Sequence, residues 1–152
     1  MNHAVMFSSR TDLWSTPQDL FDELDAEFHF SVDVCAIPEN AKCVRFFSPV
    51  DDGLVKSWKT GGGAAWCNPP YGRKIGEWVR KAAQEAADGQ TVVMLIPART
   101  DTRWFHEYIL GRAEIRFLRG RLRFGGAVNP APFPSMVVIF AGERKERNHG
   151  KV

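Results

Sequence analysis

Thr91-Val92-Val93-Met94-Leu95-Ile96-Pro97 is a near-continuous apolar run closed by proline. A strand with one wet face alternates apolar and polar residues. This run does not alternate, so it predicts a central parallel strand covered on both faces. Working outward toward the N-terminus, Ile75 to Ala87 predicts an amphipathic helix with Trp78, Val79, Ala82 and Ala86 on one side. Ala64-Ala65-Trp66-Cys67 and Phe30-Ser31-Val32-Asp33-Val34-Cys35 read as two further strands, and Val44-Arg45-Phe46-Phe47 as a candidate short one between them. Ser15-Thr16-Pro17 has the form of a helix start, with Ser or Thr as cap and Pro in the first turn. Leu20, Phe21, Leu24 and Phe28 then recur at helical spacing. On the C-terminal side the pattern predicts a helix over Thr102 to Leu110, strands over Glu114 to Leu118 and Leu122 to Phe124, and a last strand over Ser135 to Phe140. Helices alternating with buried strands predict an α/β, doubly wound, mostly parallel sheet with an antiparallel element near the C-terminus.

The chain has 152 residues, 44% hydrophobic and 25% charged, which suits one core; residues 14–141 are expected to form it, followed by a charged tail at 142–152. No apolar run approaches membrane-spanning length, and Met1 to Phe7 lacks a signal peptide's basic start, so a cytoplasmic protein with no membrane partner is expected. Three cysteines at 35, 43 and 67 make neither an even disulfide set nor a CxxC pair, and the four histidines have no ligand spacing, so no metal is expected. Nothing marks an oligomer, and a monomer is the default.

Charge is unevenly placed. Residues 1–58 carry 4 basic against 10 acidic side chains, and residues 59–152 carry 16 against 8, so the two halves face different partners. The densest basic stretch holds Arg99, Arg103, Arg112, Arg116, Arg119, Arg121 and Arg123, opposed by Asp101, Glu107 and Glu114. Such a cluster suits phosphate contact, and equally a solvated helix face followed by the outer face of a strand pair.

The most informative chemistry lies in Asn68-Pro69-Pro70-Tyr71-Gly72, directly after a predicted strand. An exocyclic amino group on adenine is a poor nucleophile because its lone pair is delocalised into the ring. Asn68 offers a side-chain oxygen to one of its hydrogens, and a carbonyl of the proline pair, most naturally that of Pro69, takes the other. Two acceptors so placed favour a nitrogen that is becoming tetrahedral. Pro69 and Pro70 have fixed φ and no N–H, which stiffens the loop that presents those carbonyls. Tyr71 offers a ring face for a base swung out of its duplex. Asn-Pro-Pro is also an ordinary way to end a strand. Asp33, Ala36, Asp52 and Asn68 all fall at or just after predicted strand ends, where open α/β sheets bind ligands, so one crevice is expected to hold them.

Six segments in order, Trp14-Ser15-Thr16-Pro17, Asp33-Val34-Cys35-Ala36, Asn40-Ala41-Lys42-Cys43, Asp52-Gly53-Leu54 with Trp58, Asn68 to Gly72, and Ala131-Pro132-Phe133-Pro134-Ser135, resemble the phage-type DNA N-6-adenine methyltransferases. The resemblance runs from about Trp14 to Phe140. It implies a compact Rossmann-like sheet, S-adenosyl-L-methionine as methyl donor, DNA as partner, and a phage or prophage origin with action in the bacterial host cytoplasm. By the same resemblance Trp14, Thr16 and Pro17 belong to the segment that holds the methionine end of the donor. Asp33, with Ala36 beside it, is the acidic residue that anchors the donor's ammonium directly or through water. Asp52 and Leu54 contact its adenine. Phe133 is expected on the opposite face of the flipped base from Tyr71. Separately from the resemblance, the basic stretch Arg112 to Arg123, with Arg119, Arg121 and Arg123 foremost, and the loop Gly125 to Pro134 are the candidates for DNA contact. Asp33 also suits a turn cap, Asp52 a surface Asp-Asp-Gly turn, and Phe133 the core.

One departure stands out. The usual Gly-rich loop after the first strand is replaced by Cys35 to Lys42, and Gly61-Gly62-Gly63 precedes a strand instead of opening a helix, so it reads as a flexible turn. Methylation of RNA adenine or of a protein glutamine amide, or an inactive DNA-binding relative, are the alternatives that the same residues allow.

Overall fold

A computed structural model describes residues 15–126 and 129–144. Its frame is a five-stranded sheet of β1 (Phe30–Asp33), β2 (Ala64–Cys67), β3 (Val92–Pro97), β4 (Glu114–Phe117) and β5 (Ser135–Phe140). The spatial order is β1-β2-β3-β5-β4. β1, β2 and β3 pair in parallel, whereas β5 is antiparallel to both β3 and β4. Four strands therefore point one way, and the last enters between β3 and β4 in reverse.

Helix α1 (Gln18–Phe28) and helix α2 (Ile75–Ala87) cover opposite faces. All six residues of β3 are buried, as an unbroken apolar run requires. Its side chains alternate between two cores: Val92, Met94 and Ile96 meet Trp78, Val79 and Ala82 of α2, while Val93 and Leu95 meet Phe21 and Leu24 of α1. Trp66 of β2 faces α1, edge-on to Phe21 at 5.3 Å.

Several expectations need correction. β3 is central, but parallel to a neighbour on one side only, because β5 lies along its other edge. Val44 to Phe47 is not a strand; it lies beside the end of β1 through a single bridge between Asp33 and Phe46. Thr102 to Leu110 is not an α-helix but a five-residue π-helical turn, Phe105–Ile109, closed by Leu110 N–H donating to the Phe105 carbonyl at 2.8 Å. Leu122 to Phe124 is not a strand either. The apolar-polar alternation there places Leu122 and Phe124 inward and Arg123 outward, and Phe124–Gly126 closes as a short 3-10 turn. The α1 start also differs: Pro17 is the N-cap residue and no side chain caps the helix.

No helix joins β1 to β2 among the described residues. The crossover is a loop with one 3-10 turn, Gly53–Val55, anchored by fully buried Trp58, whose indole N–H donates to the Gly53 carbonyl at 2.8 Å. Trp58 stacks on Trp78 of α2 at 6.2 Å. Gly53 is required, since a Cβ there would lie 2.1 Å from the Val34 carbonyl oxygen. In the Gly61 to Gly63 segment only Gly63 is closely fitted: a Cβ there would lie 1.9 Å from the His29 carbonyl oxygen, whereas one on Gly61 or Gly62 would meet open space.

Among the described residues no helix is long and apolar enough to cross a membrane.

Candidate active site

Parallel pairing brings the C-terminal ends of β1 and β2 side by side, with Asp33 opposite Trp66 and Val34 N–H donating to the Trp66 carbonyl at 3.0 Å. Asn68 follows one residue after β2. Its side-chain Nδ2 donates to Thr16 Oγ1 at 3.0 Å, which explains why Thr16 does not cap α1: its hydroxyl orients the asparagine instead. The Tyr71 hydroxyl lies 2.6 Å from Asn68 Oδ1 and 2.9 Å from the Leu95 carbonyl oxygen, so its one proton serves two acceptors. The amide oxygen thus faces Tyr71 and the amide nitrogen faces Thr16. Burial holds the Tyr71 phenol well above its ordinary pKa, and it stays a donor. Pro69 is buried and Pro70 half-buried, completing a rigid strand-end loop.

Two pockets flank this loop. One, of about 390 Å³, is lined by Ala36, Asp52, Leu54, Pro70, Phe47 and Trp78, among others. The other is a small cleft formed by Thr16, Asp33, Asn40, Lys42, Trp66 and Asn68. Cys35 lines both, so they adjoin. Thr16, Asp33 and Asn68 are thus brought together on one side, and Ala36, Asp52, Leu54 and Pro70 on the other. Pro17, the N-cap of α1, is next to Thr16 in the chain. Trp14 lies outside the described residues.

Asp33 is 2% exposed. Its Oδ2 accepts from the Lys42 backbone N–H at 3.0 Å and its Oδ1 from that of Cys35 at 3.3 Å. The carboxylate therefore organises the Cys35 to Lys42 segment that replaces the usual Gly-rich loop. Burial raises its pKa to about 6, although the Lys42 and Cys35 amides pull the other way. Burial, reinforced by the Asp33 charge, pushes the Cys35 and Cys43 thiols up to about 12, so neither is an activated nucleophile.

Asp52 is exposed, in the left-handed region at φ 59°, and its side chain accepts from Leu54 N–H at 3.1 Å. It both forms the Asp-Gly turn and lines the larger pocket. Phe133 is buried and meets Tyr71 edge-on, centroids 5.6 Å apart at 80°. Phe124 approaches Tyr71 similarly at 6.1 Å. The rings are brought together, but not as parallel plates: a base held between plates needs roughly 7 Å, twice the stacking spacing of about 3.4 Å.

The arginines divide. Arg116 makes a two-pronged ion pair with Glu27 at 2.7 and 2.8 Å, and its Nε contacts Glu114 at 2.7 Å, which ties β4 to α1. Arg103 pairs with Glu107 at 3.4 Å. Arg119, Arg121 and Arg123 are exposed beyond β4, and Arg121 reaches the Ala131 carbonyl at 3.5 Å. Of the loop Gly125 to Pro134, Ala127 and Val128 lie outside the described residues.

Sequence reasoning did not assign Cys35, Phe47, Arg73 or Lys74 to the pockets, although all four line the larger one. Arg73 and Lys74 directly follow the Asn68 to Gly72 loop, a signal that adjacency in the chain would have supplied.

The model of the DNA N-6-adenine-methyltransferase (Dam) family matches residues 4–150 of this chain. The DNA N-6-adenine-methyltransferase of Haemophilus phage HP1 (strain HP1c1) is 31% identical over 140 residues, which cover 87% of this chain and 80% of the phage protein. That of Escherichia phage T1 is 33% identical over 112 residues, covering 73% of this chain but 46% of its own length. With the family matched over nearly all of the sequence, the chain belongs to the DNA N-6-adenine-methyltransferases, enzymes that methylate the N6 amino group of adenine in DNA.

Proposed function

We propose that the chain uses S-adenosyl-L-methionine as its methyl donor, binds it across the two adjoining pockets, and methylates an adenine swung out of the duplex against Asn68. The observation that carries this reading is the position of Asn68: it lines the cleft with Thr16 and Asp33, while Pro70 of the same loop lines the larger pocket with Asp52 and Leu54.

The residues fit the donor. A desolvated carboxylate with pKa about 6 is ionised at neutral pH and suits an ammonium group, and each Asp33 oxygen keeps a lone pair beyond the one given to a backbone amide. Thr16 and Pro17 would border the same end. The larger pocket is within the size range of small-ligand sites and largely apolar, with Asp52 at its rim and Leu54 in its wall, which suits a purine ring. When bound, the donor supplies an electrophilic methyl group.

The chain's own residues then do three things. Asn68 Oδ1, its orientation held by Thr16 and Tyr71, accepts one amino hydrogen, and the Pro69 carbonyl accepts the other. Both acceptors strengthen as the nitrogen becomes tetrahedral, so they lower the barrier instead of merely binding the base. The aromatic group of Tyr71, Phe124 and Phe133 receives the base once the rings part, with Phe133 setting the position of Tyr71. Arg119, Arg121 and Arg123 hold phosphates.

A Rossmann-like relationship is supported by the reversed last strand between β3 and β4 and by ligand-facing strand ends on β1 and β2. The phage sources of the relatives support a phage or prophage origin. The test is mass spectrometry of nucleosides from unmethylated DNA incubated with the protein and S-adenosyl-L-methionine. N6-methyladenine with wild type and none with Asn68→Ala is expected; no product from wild type refutes the reading.

A further inference from the structure

Among the described residues, the Ser135 hydroxyl is the buried side-chain polar group without a hydrogen-bond partner. Such groups are uncommon because their desolvation goes uncompensated, so this one calls for a role. Ser135 is 1% exposed and opens β5 opposite Pro97, the last residue of β3. The main chain around it is engaged: the Ser135 carbonyl accepts Leu118 N–H at 3.1 Å, and the preceding Pro134 carbonyl accepts Ala98 N–H at 2.9 Å.

Alternation along β5 puts Ser135 on the same sheet face as Val137 and Ile139, which pack with Phe124 and Phe133. Val137 pairs with Leu95, whose carbonyl meets the Tyr71 hydroxyl. Ser135 is therefore two residues, about 7 Å, further along that row toward the C-terminal end of β3. That is the end of the sheet where the Asn68 loop leaves β2. Phe133, two residues before Ser135, is the ring whose edge-on contact with Tyr71 must open before a base can enter.

We propose that Ser135 contacts the target base: when the rings part, its hydroxyl donates to a ring nitrogen of the swung-out adenine. This rests on the adenine-N6 reading above and deepens it. Adenine ring nitrogens are acceptors, and a serine hydroxyl is a donor whose proton rotates to suit. The hydroxyl then has no partner in the free protein because its partner arrives with the DNA.

The test compares wild type with Ser135→Ala, reading N6-methyladenine by mass spectrometry over a range of unmethylated DNA concentrations. Donor binding is read by calorimetry with S-adenosyl-L-methionine, and thermal stability on the free protein. The expected result is a fall of about tenfold in kcat/KM for DNA, with donor affinity unchanged and Tm not lowered, since the free protein loses no hydrogen bond. An unchanged kcat/KM overturns the assignment while leaving the function intact. A loss accompanied by a lower Tm also overturns it, because the hydroxyl would then be structural. Absence of product from wild type refutes the function and the assignment together.

Discussion

Asn68 carries the chemistry, but its neighbours decide whether it can act. Asn68→Ala removes an acceptor needed most as the transition state forms, so turnover should fall by at least about 100-fold. Donor affinity should stay within a few-fold of wild type. A parallel loss of both in steady-state kinetics and calorimetry would contradict the role. Tyr71→Phe keeps the ring and deletes the hydroxyl that meets Asn68 Oδ1 and the Leu95 carbonyl. It should lower kcat by about tenfold through loss of amide orientation, with KM for the donor little changed. Asp33 gives a pH signature. Its folded pKa of about 6 lies above the ordinary 3.8, so the stability it contributes is fully present below pH 3.8 and is lost as pH rises through 6. Urea unfolding of Asp33→Asn against wild type should show the difference shifting in favour of the variant by about 2 kcal/mol between pH 4 and 7. A difference that does not change with pH would mean the carboxyl is not desolvated as described. Thr16 shows where reading by residue type misleads. A threonine before proline at a helix start looks like a cap, and only the approach of the loop after β2 turns its hydroxyl toward Asn68.

At the scale of elements, those set by burial were legible and those set by local turn chemistry were not. β3, β5 and α2 come from runs long enough for periodicity or unbroken apolarity to be decisive. The segment over Thr102 to Leu110 has helical spacing, but Thr102 Oγ1 accepts from Phe105 N–H, and Gly111 at φ 77° ends the segment, leaving room for one wide turn. Leu122 to Phe124 has strand alternation because it lies against the core, not because a ladder holds it. The β1–β2 crossover is the element on which the larger pocket depends. Gly53→Ala would drive a methyl into the Val34 carbonyl, beside Cys35 and Ala36 in the pocket wall. It should cost about 2–4 kcal/mol in unfolding free energy and weaken donor binding in the same variant. Normal donor affinity in a destabilised Gly53→Ala protein would separate the turn from the pocket.

At the scale of the whole molecule, charge is sorted by the fold as well as by the chain. Arg116 lies within the basic stretch yet spends its charge on Glu27 and Glu114. Replacing it with Ala should cost no more than about 1 kcal/mol, since the pair is substantially exposed, and should leave the salt dependence of DNA binding unchanged. Arg119, Arg121 and Arg123 are the contrast. Their joint replacement by Ala should make the slope of log K against log salt shallower by up to about 3, at roughly 0.9 per phosphate contact. An unaltered slope in a binding titration would place the DNA elsewhere on the surface.

By itself the sequence determined the α/β class, the buried strands, the reversed strand near the C-terminus, the Asn68 to Tyr71 loop and, through ordered motifs, the family. These depend on local apolar pattern, fixed-φ prolines and residue chemistry, all of which survive without coordinates. The tertiary structure alone decided that Thr16 orients Asn68, that Asp33 holds the Cys35 to Lys42 segment, that Tyr71, Phe124 and Phe133 meet edge-on, and that Ser135 is buried without a partner. Each joins or isolates groups far apart in the chain, such as Thr16 and Asn68. Such distances are set by strand order and register, not by any property of the residues between.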